Sequence, residues 1–292
     1  TQMQNIGKVQ NRGMEFTLNT KNLTGEFSWS SNFNISFNKN KVLEVGVDGR
    51  PIYGSAANAN NAFITKPGYP IASFYGYKYI GVFQSEEELA KYPHLSGDKV
   101  GDGRYEDVNK DGVLDQNDKT ILGDNNPLFT AGFSNSFSYK NFTLDIQFTG
   151  SYGAEVFSFY KRMCGIYHGD RNGMIEQLGR WQSKDQPGDG IHFRPTRTPS
   201  GWQRDPSSAW VQDASYLRLR NLTLGYNFDQ KVLDKMKMKG LRLYVTGQNL
   251  FTITNYVGYD PETSSESGLA QGGDYLGYPA ARSFIIGANI TF

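Results

Sequence analysis

Residues 106–118 read Glu-Asp-Val-Asn-Lys-Asp-Gly-Val-Leu-Asp-Gln-Asn-Asp, and no other stretch of the chain has residue types and spacing so suited to holding an ion. Counted from Asp107 as position 1, oxygen-bearing side chains fall at position 3 (Asn109), 5 (Asp111), 9 (Asp115) and 12 (Asp118). Gly112 stands at position 6 and Val113, through its carbonyl, at position 7. A hard cation such as Ca2+ takes oxygen ligands from a loop with this spacing, and the glycine makes the sharp turn. The departure is at position 12, where Asp118 replaces the glutamate that binds with both oxygens. One methylene shorter, it reaches an ion through one oxygen or through water. The flanks are also poor helices. Two readings stand: a structural Ca2+ site of the weak extracellular kind, with Kd of about 10⁻⁴ to 10⁻³ M, or a solvated turn rich in Asp and Asn. Mg2+ suits the loop less, because it keeps its waters and avoids dense protein cages.

Little else is suited to covalent or acid–base chemistry. There is no Gly-x-Ser-x-Gly, His-Glu-x-x-His or phosphate-loop motif. His94, His168 and His192 have no ligand spacing, and the single cysteine, Cys164, has no partner in the chain. The expectation is a protein that is not an enzyme. Thirty Lys and Arg balance 29 Asp and Glu, a net charge of +1, which argues against nucleic acid as a partner. A second group is aromatic. Trp181, Trp202 and Trp210, with Tyr160, Tyr167 and Phe193, fall between residues 152 and 213. Rings of this kind either pack a loop or offer flat faces to a sugar, a peptide or a partner protein.

The elements that must position these residues read as strands. Phe142, Leu144, Ile146 and Phe148 alternate with Thr143, Asp145, Gln147 and Thr149. Phe27, Trp29, Phe33, Ile35 and Phe37 share one face, which Ser31 interrupts. The same period runs through 14–18, 129–139, 222–228, 241–247 and 284–292. These runs, about 9 to 13 residues long, exceed the five or six usual in soluble sheets and match membrane-crossing strands. Their polar faces carry Ser, Thr, Asn and Gln, as a wet lumen requires. Aromatic residues gather near the ends of the apolar faces, as in the girdles of membrane barrels. A soluble sandwich also alternates and is the competing reading. No apolar run approaches the 18 residues of a membrane helix. Helical spacing is confined to 171–181 and 231–240. Short turns at one end and long segments at 83–127, 152–213 and 253–281 suit short periplasmic turns and long extracellular loops. A further strand at 61–70, turning near Gly68, brings the count to about nine. The opening lacks a secretory leader, so the chain reads as a mature product or a piece of something longer.

Taken in order, Asn11–Thr20, Phe33–Val42, Gly68–Phe83, Tyr105–Gly153, Ala214–Phe228, Leu241–Thr252 and Ile285–Phe292 resemble the C-terminal third of SusC/RagA-type TonB-dependent outer-membrane transporters. The resemblance covers nearly the whole chain. It implies an all-β fold: about the last eight or nine antiparallel strands of a 22-stranded transmembrane barrel, without the plug domain. It implies a place in the bacterial outer membrane and active import of oligosaccharides or peptides. The implied partners are a SusD-like surface lipoprotein, the TonB–ExbB–ExbD complex, membrane lipid, and the remaining barrel and plug. Phe284, Ile286, Ile290 and Phe292 resemble the terminal signal that barrel assembly reads. A passive barrel or adhesin, and a soluble calcium-stabilised β-sandwich that binds carbohydrate, are the alternatives.

Overall fold

The computed structural model describes residues 7–46, 48–56, 59–165, 172–196, 205–263 and 267–292. Seven strands form one antiparallel wall: β1 (Lys8–Leu23), β2 (Phe27–Glu44), β3 (Phe129–Tyr139), β4 (Phe142–Tyr152), β5 (Tyr216–Asn227), β6 (Gly240–Thr254) and β7 (Ser283–Thr291). Each pairs with its neighbour in sequence, and the sheet is not closed on itself. The first two strands, of 16 and 18 residues, are longer than the sequence pattern suggests. They continue past their apolar stretch into polar residues at one end.

The connections at the two ends of the wall differ sharply. Tight turns join β1 to β2 and β3 to β4; Tyr139 pairs with Phe142 across Lys140 and Asn141, and Lys140 takes a φ of 51°. Between β5 and β6 a short helix, α3 (Gln230–Met236), makes the turn, where helical spacing is expected. The other end carries 45–128, 153–215 and 255–282. The count of about nine wall strands therefore falls to seven. The strand expected at 61–70 is a short strand, Ala59–Thr65, in a separate four-stranded sheet with Ile52–Ala56, Ser73–Gly76 and Thr120–Gly123. Burial explains the difference. Most wall-strand residues stay exposed or half-buried on both faces, whereas Ala62, Phe63 and Ile64 are all buried in succession. With seven strands every long connection lies at one end.

These three segments fold together. Phe63, Phe74 and Val82 from the first, Phe157, Phe193 and Trp210 from the second, and Ala270 from the third share one hydrophobic core. Close backbone approach helps: a Cβ on Gly76 would lie 2.1 Å from the Pro206 carbonyl oxygen. The Arg194 guanidinium clamps two segments with a forked contact to the buried Asp102 carboxylate, at 2.7 and 3.2 Å. Within them sit α1 (Glu86–Lys91), capped by the Ser85 side chain, and α2 (Phe159–Gly165). The helix expected over 171–181 is reduced to a 3₁₀ turn at Ile175–Gly179, just beyond α2.

Candidate functional site

One face of the wall is apolar and uncovered. Phe16 and Ile286 are 56% and 84% exposed, and among the described residues no second sheet packs over them. That arrangement excludes the soluble sandwich, whose apolar faces must meet in a core. Rings line both margins of this face. Phe37 contacts Phe129, which stacks on Tyr152 with centroids 5.4 Å apart; at the other margin Phe142 meets Tyr226 and Tyr226 meets Phe228. Ser31, the interruption in the stripe, donates to Asn135 on β3, which also accepts from the Trp29 indole. Polar groups facing lipid thus satisfy one another, as a medium without water demands.

The opposite face is a continuous polar ladder. Asn19 pairs with Asn32, Asn11 with Asn40, Ser28 with Ser138, Ser136 with Asp145, and Thr223 with Thr246. Between β4 and β7 it forms a cavity of about 470 Å³ lined by Asp145, Asn221, Thr223, Arg242, Tyr244 and Gln248. Tyr244 stands opposite Gly287 on β7, and any Cβ there would strike its ring at 2.3 Å. This cavity offers hydrogen-bond donors and acceptors, one carboxylate (Asp145) and one cation (Arg242).

Above the ladder, near the long-loop end, lies a charge network. Tyr216, Arg218 and Arg220 leave β5 towards the polar side. Arg218, 3% exposed, holds Asp260 at 2.6 Å and also pairs with Glu262, which accepts from Arg220 and from the Tyr216 hydroxyl at 2.5 Å. Burial alone would raise the Asp260 carboxyl, but donation by Arg218 and by the Ala280 and Glu262 amides holds it below the usual range. A bulge makes this possible. Against β4, Phe148 opposes Leu219 while the adjacent Gln147 opposes Asn221, so Arg220 is the extra residue and Leu219 and Leu222 both keep to the lipid side. The network ties the 255–282 segment to the wall.

A chain with a lipid face, a polar face and all long segments at one end is similar to known proteins over its whole length. It is 36% identical over 304 residues to TonB-dependent receptor P3 of Formosa agariphila, covering 100% of this chain and 30% of the relative. With TonB-dependent receptor SusC of Bacteroides thetaiotaomicron it shares 28% identity, covering 99% of this chain and 27% of the relative. The chain belongs to the SusC/RagA-type TonB-dependent receptors. A solved structure of the RagAB peptide transporter matches with a TM-score of 0.79 at 20% identity, over 99% of this chain and 30% of that one. RagAB in its open-open state matches at 0.74 and 22%. No protein-family profile matches the chain. It spans about 30% of the length of the relatives. Membership places the wall in the bacterial outer membrane and outside enzyme families.

Within this family frame the acidic loop closes on itself. Asp107 accepts from the Lys110 and Gly112 amides, Asn109 from the Asp111 amide, Asp111 from Val113, and Asp115 from Asn117. Asp118 is 0% exposed and accepts from the backbone of Val108 at 2.9 Å, Asn109 at 3.4 Å and Asp115 at 2.8 Å. Both its oxygens are thereby committed to the fold. Among the described residues no group of three or more His, Cys, Asp or Glu side chains is arranged to hold a metal ion.

The aromatic candidates divide. Trp210, 3% exposed, lies in the loop core, and Trp181 packs against that core, its ring over Gly101. Trp181 itself stays half-buried. Trp202 and Tyr167 lie outside the described residues. Phe284, Ile286, Ile290 and Phe292 all project from the lipid face of β7. The Tyr216–Arg218–Glu262 network escapes sequence reasoning. Its signal is two arginines alternating with leucines at the head of a strand whose other polar positions are uncharged.

Proposed function

We propose that this chain forms part of the wall and outer vestibule of an active importer of oligosaccharides or peptides, energised through TonB–ExbB–ExbD and covered by a SusD-like lipoprotein. The observation that carries this reading is the unbroken polar ladder, which faces a lumen while its other side faces lipid. The likeness to relatives named SusC and to the peptide-transporting RagAB assembly supports the same reading. In the complete receptor the unpaired edges of β1 and β7 join the rest of the barrel, and the terminal Phe292 series directs its assembly. The test is uptake of labelled oligosaccharide and peptide pools by cells that carry the full-length receptor. Uptake that stops when the gene or TonB is deleted supports import. Uptake indifferent to TonB overturns energy coupling and favours a passive barrel.

Calcium at the acidic loop is a separate proposal. Asp107, Asn109, Asp111, the Val113 carbonyl and Asp115 would supply oxygens, while Asp118 pins the loop from beneath. The spacing supports it, and so does the outward position of Asn109 and Asp111. Titrating Ca2+ into the full-length receptor by calorimetry should give a Kd of about 10⁻⁴ to 10⁻³ M that Asp111→Asn weakens. Absence of heat at millimolar Ca2+ would leave the loop as a self-closed turn.

A further inference from the structure

β1 and β2 differ from the rest of the wall where they leave the apolar belt at the long-loop end. On the lipid side β3, β4, β5 and β6 end in Phe129, Tyr152, Leu217 and Ile253. On the same side of β1 and β2 the register places Met14 opposite Phe37, then Arg12 opposite Lys39, then Gln10 opposite Lys41. The pairing has no irregularity between Val9 and Lys21, so the three cations continue the face that holds Met14, Phe16 and Leu18. They rise above the Phe37–Phe129–Tyr152 belt by about 7 Å for Lys39 and about 13 Å for Lys41, at roughly 3.3 Å per residue.

All three are exposed, and among the described residues none is in an ion pair. Beside them lies a groove of about 690 Å³. Met14, Phe37, Pro127 and Leu128 give it an apolar floor, and Arg12, Lys39 and Lys41 line its upper part. Its one carboxylate, Asp124, accepts from the Asn126 backbone and side-chain amides at 2.8 Å. Three cations against one internally bonded anion leave the groove positive. Apolar below and cationic at headgroup height, it is complementary to one class of molecule. Long Lys and Arg stems lie along apolar surface while their charged ends stay at the polar level.

We propose that this groove holds a phosphate-bearing lipid of the leaflet on the long-loop side, its acyl chains against Met14, Phe37 and Leu128 and its phosphate between Arg12, Lys39 and Lys41. Guanidinium and ammonium groups suit a phosphate by fork and by point charge respectively. Because the 45–128 segment packs on β2 through the Val42–Tyr69 backbone contact at 2.8 Å, bound lipid would brace the loop body against the membrane surface. The proposal rests on the outer-membrane placement and is independent of what is transported.

The test uses the full-length receptor in neutral detergent, titrated with phosphatidylglycerol or phosphatidylcholine of identical chains and read by native mass spectrometry. The expected result is preferential retention of phosphatidylglycerol. Its affinity should fall about fivefold for each cation removed and about a hundredfold in R12A/K39A/K41A. The charge-preserving R12K/K39R/K41R should retain binding, which separates lost charge from misfolding. A control, K21A/K140A/K235A at the short-turn end, should not change it. Equal retention of the two lipids, or equal loss in both alanine triples, overturns the proposal. So does loss of a co-purifying acidic protein with lipid retention unchanged, which would make the groove a protein interface.

Discussion

The wall and the loop body are built from similar residues but stabilised in opposite ways. In the wall, phenylalanine faces outward: Phe16, Phe133, Phe142 and Phe284 are exposed, because lipid is their solvent. In the loop body Phe63, Phe74 and Phe157 are fully buried and meet edge to face or tilted, with centroids 5.6 to 6.3 Å apart. The wall's backbone is satisfied by ladders between long neighbouring strands. The loop body relies on short sheets, clamps such as Arg194–Asp102, and side chains that cap turns. Alternation is therefore a property of a sheet with two different solvents, and continuous burial a property of an aqueous core.

The comparison can be broken first in the loop core. Phe63→Ala should destabilise the loop body by about 3–5 kcal/mol, whereas Phe16→Ala on the lipid face should change stability far less. Thermal unfolding of the two variants in detergent measures the contrast. Equal losses would mean that the wall, too, depends on a packed core. Arg218→Ala tests the tether between the regions. Removing one partner of a buried network typically costs about 3–5 kcal/mol by stranding the remaining charge. Limited proteolysis should then cut 255–282 faster while the wall stays intact. Undiminished protection of that segment would sink the tether.

Within the wall the two faces should separate cleanly. Leu222→Arg, towards lipid, should cost about 2–4 kcal/mol in a bilayer, and its neighbour Thr223→Arg, towards the polar side, about 1 kcal/mol or less. Reversible folding into vesicles reads both values, and equal costs would contradict the assignment of faces. Asp118→Ala should loosen the acidic loop by about 1–3 kcal/mol, since three backbone donors lose their acceptor. Faster amide exchange at Val108 and Asp115 would report it.

The smallest effect is electrostatic. The Asp260 carboxyl sits below its ordinary value in the folded chain, so its contribution is fully present above about pH 4. It is lost as pH falls through the lowered folded value. Release of 255–282 should therefore follow acidification below about pH 4 and be absent between pH 6 and 8; Asp260→Asn should abolish that dependence. An unchanged acid profile in the variant would assign the transition to another group.

Sequence alone determined the wall. Period-2 alternation in β1 to β7 reports two faces in two media, and side chains alternate whatever the distant partners are. The turn at Lys140-Asn141, the helical spacing at 231–240 and the family resemblance were legible for the same local reason. The acidic spacing was legible too, but not that the buried Asp118 spends its oxygens on backbone amides. Tertiary structure decided the loop body. The runs Ala62–Thr65 and Ser73–Phe74 carry no alternation because protein packs on both their faces. Trp210 looks like a binding platform until Phe193 packs on it. The Arg218 network joins residues more than 40 positions apart, and Arg12 meets Lys39 only once β1 and β2 pair. Local pattern records which medium each face meets. Only the folded chain records which distant groups share a dry or charged space.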